Sequence, residues 1–158
     1  MKKMFKIAVI LVMTCAAFTI TSCKKELKPQ SKIGEIYFNG VSNSVYYDLP
    51  EEQYQISMDG GLIVTYLNFY DENVFEYDNW VQIPRIDAAK VSFEVVYFDG
   101  FLQIFAYKFN EGQNSYPFAG PKKFKIKTIA IPAEKKIEFE NTGFDYTKAS
   151  FEELSSKI

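Results

Sequence analysis

Short apolar segments recur about every eight to twelve residues along the chain, and turn residues separate them. No long stretch follows the helical period of apolar positions. This rhythm is typical of antiparallel strands that cross a sheet many times. The pattern predicts an all-β fold, an antiparallel β-sandwich or open barrel, with a short helix at the C-terminus.

The predicted strands differ in how deeply they are expected to be buried. Residues 62–70, LIVTYLNFY, are apolar on both faces and are expected at the centre of a sheet. Residues 53–58 alternate between polar and apolar side chains, which predicts a half-buried strand. Further strands are expected at residues 35–38, 45–48, 80–83, 91–97, 101–109, 123–132 and 136–140.

Local signals mark the ends of these elements. Asp99-Gly100 lies between two apolar runs and predicts a tight hairpin, because glycine accepts the positive φ that such turns need. Residues 111–121 hold two glycines and two prolines and are expected to form a loop. Ser150 followed by Glu153 is a capping box, which predicts the start of the C-terminal helix.

The N-terminal residues have the layout of a secretory signal peptide. Residues 1–22 begin with lysines, continue with an apolar centre of about 14 residues and end in small side chains. A permanent membrane span needs about 20 apolar residues, so cleavage is favoured. The run Ile20-Thr21-Ser22-Cys23 resembles the lipobox of bacterial lipoproteins, which implies that Cys23 is lipidated and becomes the mature N-terminus. The alternative is an ordinary secreted protein with a cysteine at this place.

The remaining chain divides into a tether and one domain. Residues 23–32 are predicted to carry the lipid and a flexible linker, and residues 33–158 have the length of a single β-domain. Two or more acyl chains hold a protein stably on a bilayer. Lys24 is not acidic, which favours the outer membrane. Both its periplasmic face and its surface face remain possible locations.

Composition excludes several kinds of chemistry. The chain has no histidine, and its two cysteines are Cys15 in the signal and Cys23. Histidine-dependent hydrolysis, histidine-ligated metals, thiol catalysis and a disulfide scaffold are therefore excluded. Loss of the three signal lysines leaves 15 basic residues against 20 acidic ones, a net charge of −5. We therefore expect no nucleic acid partner, and we expect no cofactor.

Four short motifs, taken together, carry a resemblance to a known group of domains. They are Met58-Asp59-Gly60-Gly61 leading into residues 62–69, WVQIP at residues 80–84, FKIKTIAIP at residues 124–132, and Phe144-Asp145-Tyr146. They resemble a group of secreted β-domains in lipoproteins of Bacteroidota, a type also found at the C-terminus of collagen-like lipoproteins. The resemblance spans about residues 45–158 and implies a β-domain with a lipid anchor. It implies no catalytic residue.

Aromatic side chains in predicted loops are candidate binding residues. Trp80 is the only tryptophan and lies close in sequence to Tyr77, while Tyr116 and Phe118 lie in the loop of residues 111–121. Exposed aromatic rings stack on sugars or anchor a protein partner. The alternative for each ring is a place in the core or at a sheet edge.

Charged side chains give further candidates. Lys123, Lys125 and Lys127 share one face of a predicted strand and suit phosphates or anionic glycans, or else form a charged edge that prevents aggregation. Residues 71–79 hold four acidic side chains, which suit calcium, but their spacing is not that of a calcium loop and a solvated loop is the alternative. No metal site is predicted. Two carboxylates across a cleft would suit glycoside hydrolysis.

These observations predict a non-catalytic lipoprotein of the outer membrane or cell surface that acts as an accessory or interaction module in an envelope assembly. The anchor and the lack of a recognisable catalytic constellation carry this expectation. The expected contacts are the membrane, through the lipid, and either an envelope protein or a glycan. A glycan-binding surface module is the alternative function, and a carboxylate-dependent hydrolase is the third.

Overall fold

The computed structural model describes residues 27–68, 80–87 and 89–158. The strands in these ranges are β1 Gln30–Phe38, β2 Ser44–Asp48, β3 Leu62–Asn68, β4 Trp80–Ile83, β5 Arg85–Ile86, β6 Val91–Phe98, β7 Phe101–Lys108 and β8 Lys122–Ile131. The helices are α1 Glu51–Met58, α2 Ala133–Thr142 and α3 Phe151–Ser155.

Two antiparallel sheets form the molecule, and the predicted all-β sandwich with a short C-terminal helix is confirmed. The first sheet has the order β1-β8-β3-β4, and the second has the order β2-β7-β6-β5. The hairpin at Asp99-Gly100 is confirmed, since β6 pairs with β7 from Phe98 opposite Phe101 onward. Strand β3 lies between two neighbours, as its two apolar faces predicted.

The main core lies between the sheets. Alternate residues of each strand point inward, and the largest rings meet there. Phe38 and Phe93 both contact Phe124 edge to face, with ring centroids 5.9 and 5.7 Å away. Such contacts add to the free energy gained by burial alone.

A third layer covers the outer face of the first sheet. Val64, Tyr66 and Ile129 pack there against Phe139 of α2 and Leu154 of α3. Within the described residues, the outer face of the second sheet has no comparable helical cover. The two outer faces of the sandwich are therefore different surfaces.

The strand predicted at residues 53–58 is wrong, because this segment forms α1. Gln53 and Ile56, three residues apart, are buried, whereas Met58 is exposed. The amide of Gln53 bonds to the main chain of β1 and β8 and to the hydroxyl of Thr128. A helix brings these two side chains to one face, which a strand would not do.

The strand predicted at residues 136–140 is also wrong, because α2 occupies it. The helix follows Pro132 and ends at Gly143, which has a left-handed φ of 71°. Phe139 is buried against Phe144 at a centroid distance of 4.9 Å. Proline before a helix and glycine after it are common end signals, and the sequence contains both.

Strand β1 begins at Gln30, so residues 30–32 of the predicted tether belong to the sheet. Strand β8 lies between β1 and β3 and is central, so the suggestion that its lysines protect a sheet edge is wrong.

The capping prediction is confirmed, since Ser150 Oγ accepts a hydrogen bond from the Glu153 N–H at 3.1 Å.

Candidate functional site

Trp80 opens the edge strand β4, and only 9% of it is exposed. Its indole packs near the ring of Phe151, with centroids 6.3 Å apart. The Nζ of Lys127 lies 4.0 Å from the Trp80 ring centroid and 3.3 Å from that of Phe151. Trp80 is thus part of a packed cation–aromatic cluster, which corresponds to the core-or-edge alternative for this residue.

The three candidate lysines of β8 lie in three different environments. Lys123 is exposed and pairs with Glu35 at 2.6 Å, and Lys125 is exposed. Lys127 is only 6% exposed, because α3 covers this end of the strand. The row therefore does not form one continuous accessible basic surface.

Tyr116 and Phe118 pack against the core between the sheets. Phe118 lies 5.5 Å from Phe38 and 5.6 Å from Phe124, and Tyr116 donates a hydrogen bond to the Gly120 carbonyl at 2.9 Å. The loop of residues 111–121, confirmed as irregular, closes one end of the core with these rings. Cys23, Tyr77 and the acidic residues 71–79 lie outside the described residues.

A cleft of about 860 Å³ opens along the edge of the first sheet, and we refer to it as the cleft. One wall is β4 with Pro84 and Arg85, and the other is the segment from Tyr146 to Ser150 that leads into α3. The Nε2 of Gln82 donates to the Tyr146 carbonyl at 3.3 Å, and Tyr66 OH donates to the Ala149 carbonyl at 3.2 Å. These two bonds hold the second wall against the sheet.

The lining of the cleft is basic. Its charged residues, among those described, are Arg85 and Lys148, and none is Asp or Glu. Lys148 pairs with Asp145 at 2.9 Å, and a hydrogen bond from Thr147, followed by the one from Lys148, lowers the pKa of Asp145. The lining thus offers no carboxylate pair for glycoside hydrolysis.

The outer face of the second sheet is a second candidate surface, which we call the open face. Strand register directs a set of large side chains to it: Tyr46, Ile86, Val96, Phe98, Phe101 and Phe105. Tyr46 is 65% exposed and Phe98 is 45% exposed. Phe98 stacks on Phe101 at 4.9 Å, and Tyr46 meets Phe101 edge to face at 5.6 Å.

Neither surface was predicted from the sequence. Strands β6 and β7 are apolar on both faces, as VSFEVVYF and FLQIFAYK show, and this was the available signal for a second apolar surface. The cleft has no such signal, because its walls come from four separate parts of the chain.

Neither a grouped set of metal ligands nor a membrane-spanning helix occurs in the part of the chain that the structure describes. There, no three His, Cys, Asp or Glu residues are grouped so that they could hold a metal ion. No helix in the described ranges is long and apolar enough to cross a membrane. Comparison of the chain with protein-family models, curated proteins and solved structures found no match.

Proposed function

We propose that the protein is a non-catalytic lipoprotein of the outer membrane or cell surface and that its open face docks a protein partner in an envelope assembly. One observation carries this proposal. Two helices cover the outer face of the first sheet, whereas no described element covers the aromatic outer face of the second.

Exposed rings on one flat face favour a protein partner. Monomeric soluble proteins rarely leave contiguous apolar patches exposed, and aromatic side chains are enriched at the centres of protein interfaces. Tyr46 and Phe98 both contact Phe101, so a partner would meet the three rings as one unit. Their packing in the free protein also reduces the side-chain entropy lost on binding.

The charge of the open face indicates what kind of surface it fits. Glu94 accepts hydrogen bonds from Tyr107 OH and from the amide of Gln113, which offset its desolvation. Gln103 donates to Ser44 Oγ at 3.3 Å. Strand register places the carboxylates of Glu94 and Asp48 on this face beside the rings, so we infer a partner surface that is apolar where it meets the rings and carries basic groups around them.

The proposed anchor would keep this face close to the membrane. Strand β1 begins at Gln30, which leaves residues 24–29 between the proposed lipidated Cys23 and the sheet. Six extended residues span about 20 Å. A partner is therefore expected in the same membrane or bound to it.

The docking proposal is tested by purifying the tagged, lipidated protein from native membranes in mild detergent and identifying stoichiometric partners by mass spectrometry. Phe98→Ser should remove the partner, because it deletes an exposed ring that stacks on Phe101 in the open face. Tyr37→Ser is the matched control, since Tyr37 is 58% exposed on the first sheet. A protein that purifies alone, or a partner retained by Phe98→Ser, would contradict the proposal.

The anchor is tested separately. Cells labelled with a radioactive fatty acid should incorporate label into the wild-type protein and none into Cys23→Ser. The variant should also leave the membrane fraction, because no acyl chain would hold it. Label retained by Cys23→Ser would show that the lipid proposal is wrong.

A further inference from the structure

The cleft lies at the edge of the first sheet and is separate from the open face. Its volume of about 860 Å³ falls within the range of roughly 300–1,000 Å³ that small-molecule sites occupy. We propose that the cleft binds a short acidic saccharide and that the guanidinium of Arg85 pairs with the oxyanion of this ligand. The proposal does not depend on docking at the open face.

The charge of the lining favours an anion. Arg85 forms no ion pair within the described residues, whereas the charge of Lys148 is offset by Asp145 at 2.9 Å. A guanidinium stays protonated at physiological pH, and its planar donors match a carboxylate or a phosphate. The whole chain has a net charge of −2, whereas the described charged residues that line the cleft are basic. The charge of the cleft is therefore opposite to that of the chain.

The uncharged lining favours a sugar over a simple anion. Tyr97, which is 46% exposed, and Tyr146 contribute aromatic surface, and Thr147 and Ser150 contribute hydroxyl groups. The C–H groups of a sugar ring pack against aromatic side chains, and its hydroxyls exchange hydrogen bonds with threonine and serine. An inorganic anion would use Arg85 and leave the remaining surface without contacts.

The walls are held in place before any ligand binds. Gln82 and Tyr66 both donate hydrogen bonds from the first sheet to the main chain of the second wall, at Tyr146 and Ala149. Burial raises the pKa of Tyr66 strongly, so its hydroxyl remains a donor at physiological pH. A site of this kind needs little ordering on binding, which favours affinity for a small ligand.

Fluorescence of the full chain in mild detergent provides the test, because Trp80 is the only tryptophan and lines the cleft. The probes are trigalacturonate, glucose 6-phosphate, neutral maltotriose and inorganic phosphate, with calorimetry as a second readout. At least one acidic saccharide should change the emission saturably. The two acidic probes distinguish a carboxylate from a phosphate as the bound group.

Arg85→Gln should weaken this binding about ten-fold or more, since a charge-assisted contact is lost. Lys148→Gln should weaken binding less. Lys122 is an exposed cation outside the cleft, so Lys122→Gln should leave binding unchanged. The melting temperature of each variant checks that it is folded. If Arg85→Gln is unstable, Arg85→Lys is used in its place. The proposal would be overturned by any of three results. Neither acidic saccharide binds saturably, maltotriose or inorganic phosphate gives an equal response, or the Arg85 variant binds as Lys122→Gln does.

Discussion

Gly61 illustrates how a single residue constrains the packing of three elements. It lies between α1 and β3, beside β8. A Cβ at this position would lie 2.5 Å from the Ile131 carbonyl oxygen and 2.6 Å from that of Ile56. Both are backbone atoms, so neither can move without displacing a strand or a helix end.

We predict that Gly61→Ala lowers the free energy of unfolding by about 1–3 kcal/mol, the usual range for overpacking. Gly120→Ala is the matched control, because a Cβ there would meet nothing within 4 Å. Urea denaturation measures both variants. Equal stability of Gly61→Ala and Gly120→Ala would show that the close approach is not rigid.

Gln53 and Thr128 form a buried polar pair. Gln53 is 1% exposed, and its Oε1 accepts a hydrogen bond from Thr128 Oγ1 at 2.7 Å. Its Nε2 donates to the carbonyls of Gln30 and Thr128, each at 3.1 Å. This side chain therefore links α1 to β1 and β8 and is fully occupied by partners.

Thr128→Val should lower the free energy of unfolding by about 1–3 kcal/mol, because Gln53 Oε1 would be buried without a donor. Thr128→Ser keeps the hydroxyl and should cost less. Chemical denaturation of the two variants checks the difference. If serine proved as harmful as valine, the lost methyl group and not the hydrogen bond would explain the effect.

Among the elements, α3 shows how a short helix depends on its cap and on its contacts. Ser150 Oγ accepts from the Glu153 N–H, and Leu154 is fully buried on the first sheet. Phe151 packs beside Trp80 and contacts Tyr66 edge to face at 5.8 Å. A helix of five residues would not form alone, so cap and packing together stabilise it.

Ser150→Ala should lower the free energy of unfolding by about 1 kcal/mol. Fraying of α3 should also expose Trp80 and move its emission to longer wavelength. Ser150→Asp, which keeps a capping oxygen, should retain most of the stability and the native emission. An alanine variant as stable as wild type would mean that packing alone holds the helix.

For the molecule as a whole, we expect the buried phenol of Tyr66 to set the alkaline limit of stability. Burial, with repulsion from Glu152 and Glu153, raises the pKa of Tyr66 far above its usual 10.0. Partial burial also raises the pKa of Tyr47, and its hydrogen bond with Thr128 opposes this in part. The phenols of the unfolded chain lose protons at lower pH than those of the folded chain.

Stability should therefore be fully present below about pH 10 and fall as the pH rises above it. No histidine titrates, so we expect little change between about pH 6 and 9. The free energy of unfolding, measured from pH 6 to 12, checks both statements. Tyr66→Phe should reduce the alkaline slope, and Tyr46→Phe, with a side chain 65% exposed, is the control. A steep loss below pH 9 would contradict this account.

The sequence by itself determined the features that depend on neighbouring residues. Alternation at residues 91–97 and 101–109 with Asp99-Gly100 between them predicted a hairpin, and Ser150 with Glu153 predicted a cap. The absence of histidine excluded histidine chemistry without reference to any fold. Each of these inferences rests on local backbone preference or on the presence of a functional group.

The tertiary structure alone decided what depends on distant contacts. Residues 53–58 alternate as a strand would, but the buried partners of Gln53 select a helix. Alternation of polar and apolar residues shows which face of a strand each side chain occupies, but it does not show which strands are neighbours. The central position of β8 and the burial of Lys127 were therefore not predictable. Among the described elements, helices cover only the outer face of the first sheet, which leaves the open face, and the cleft forms where the segment before α3 meets the edge of that sheet. That outcome depends on the packing energy of the whole chain, which no short segment contains.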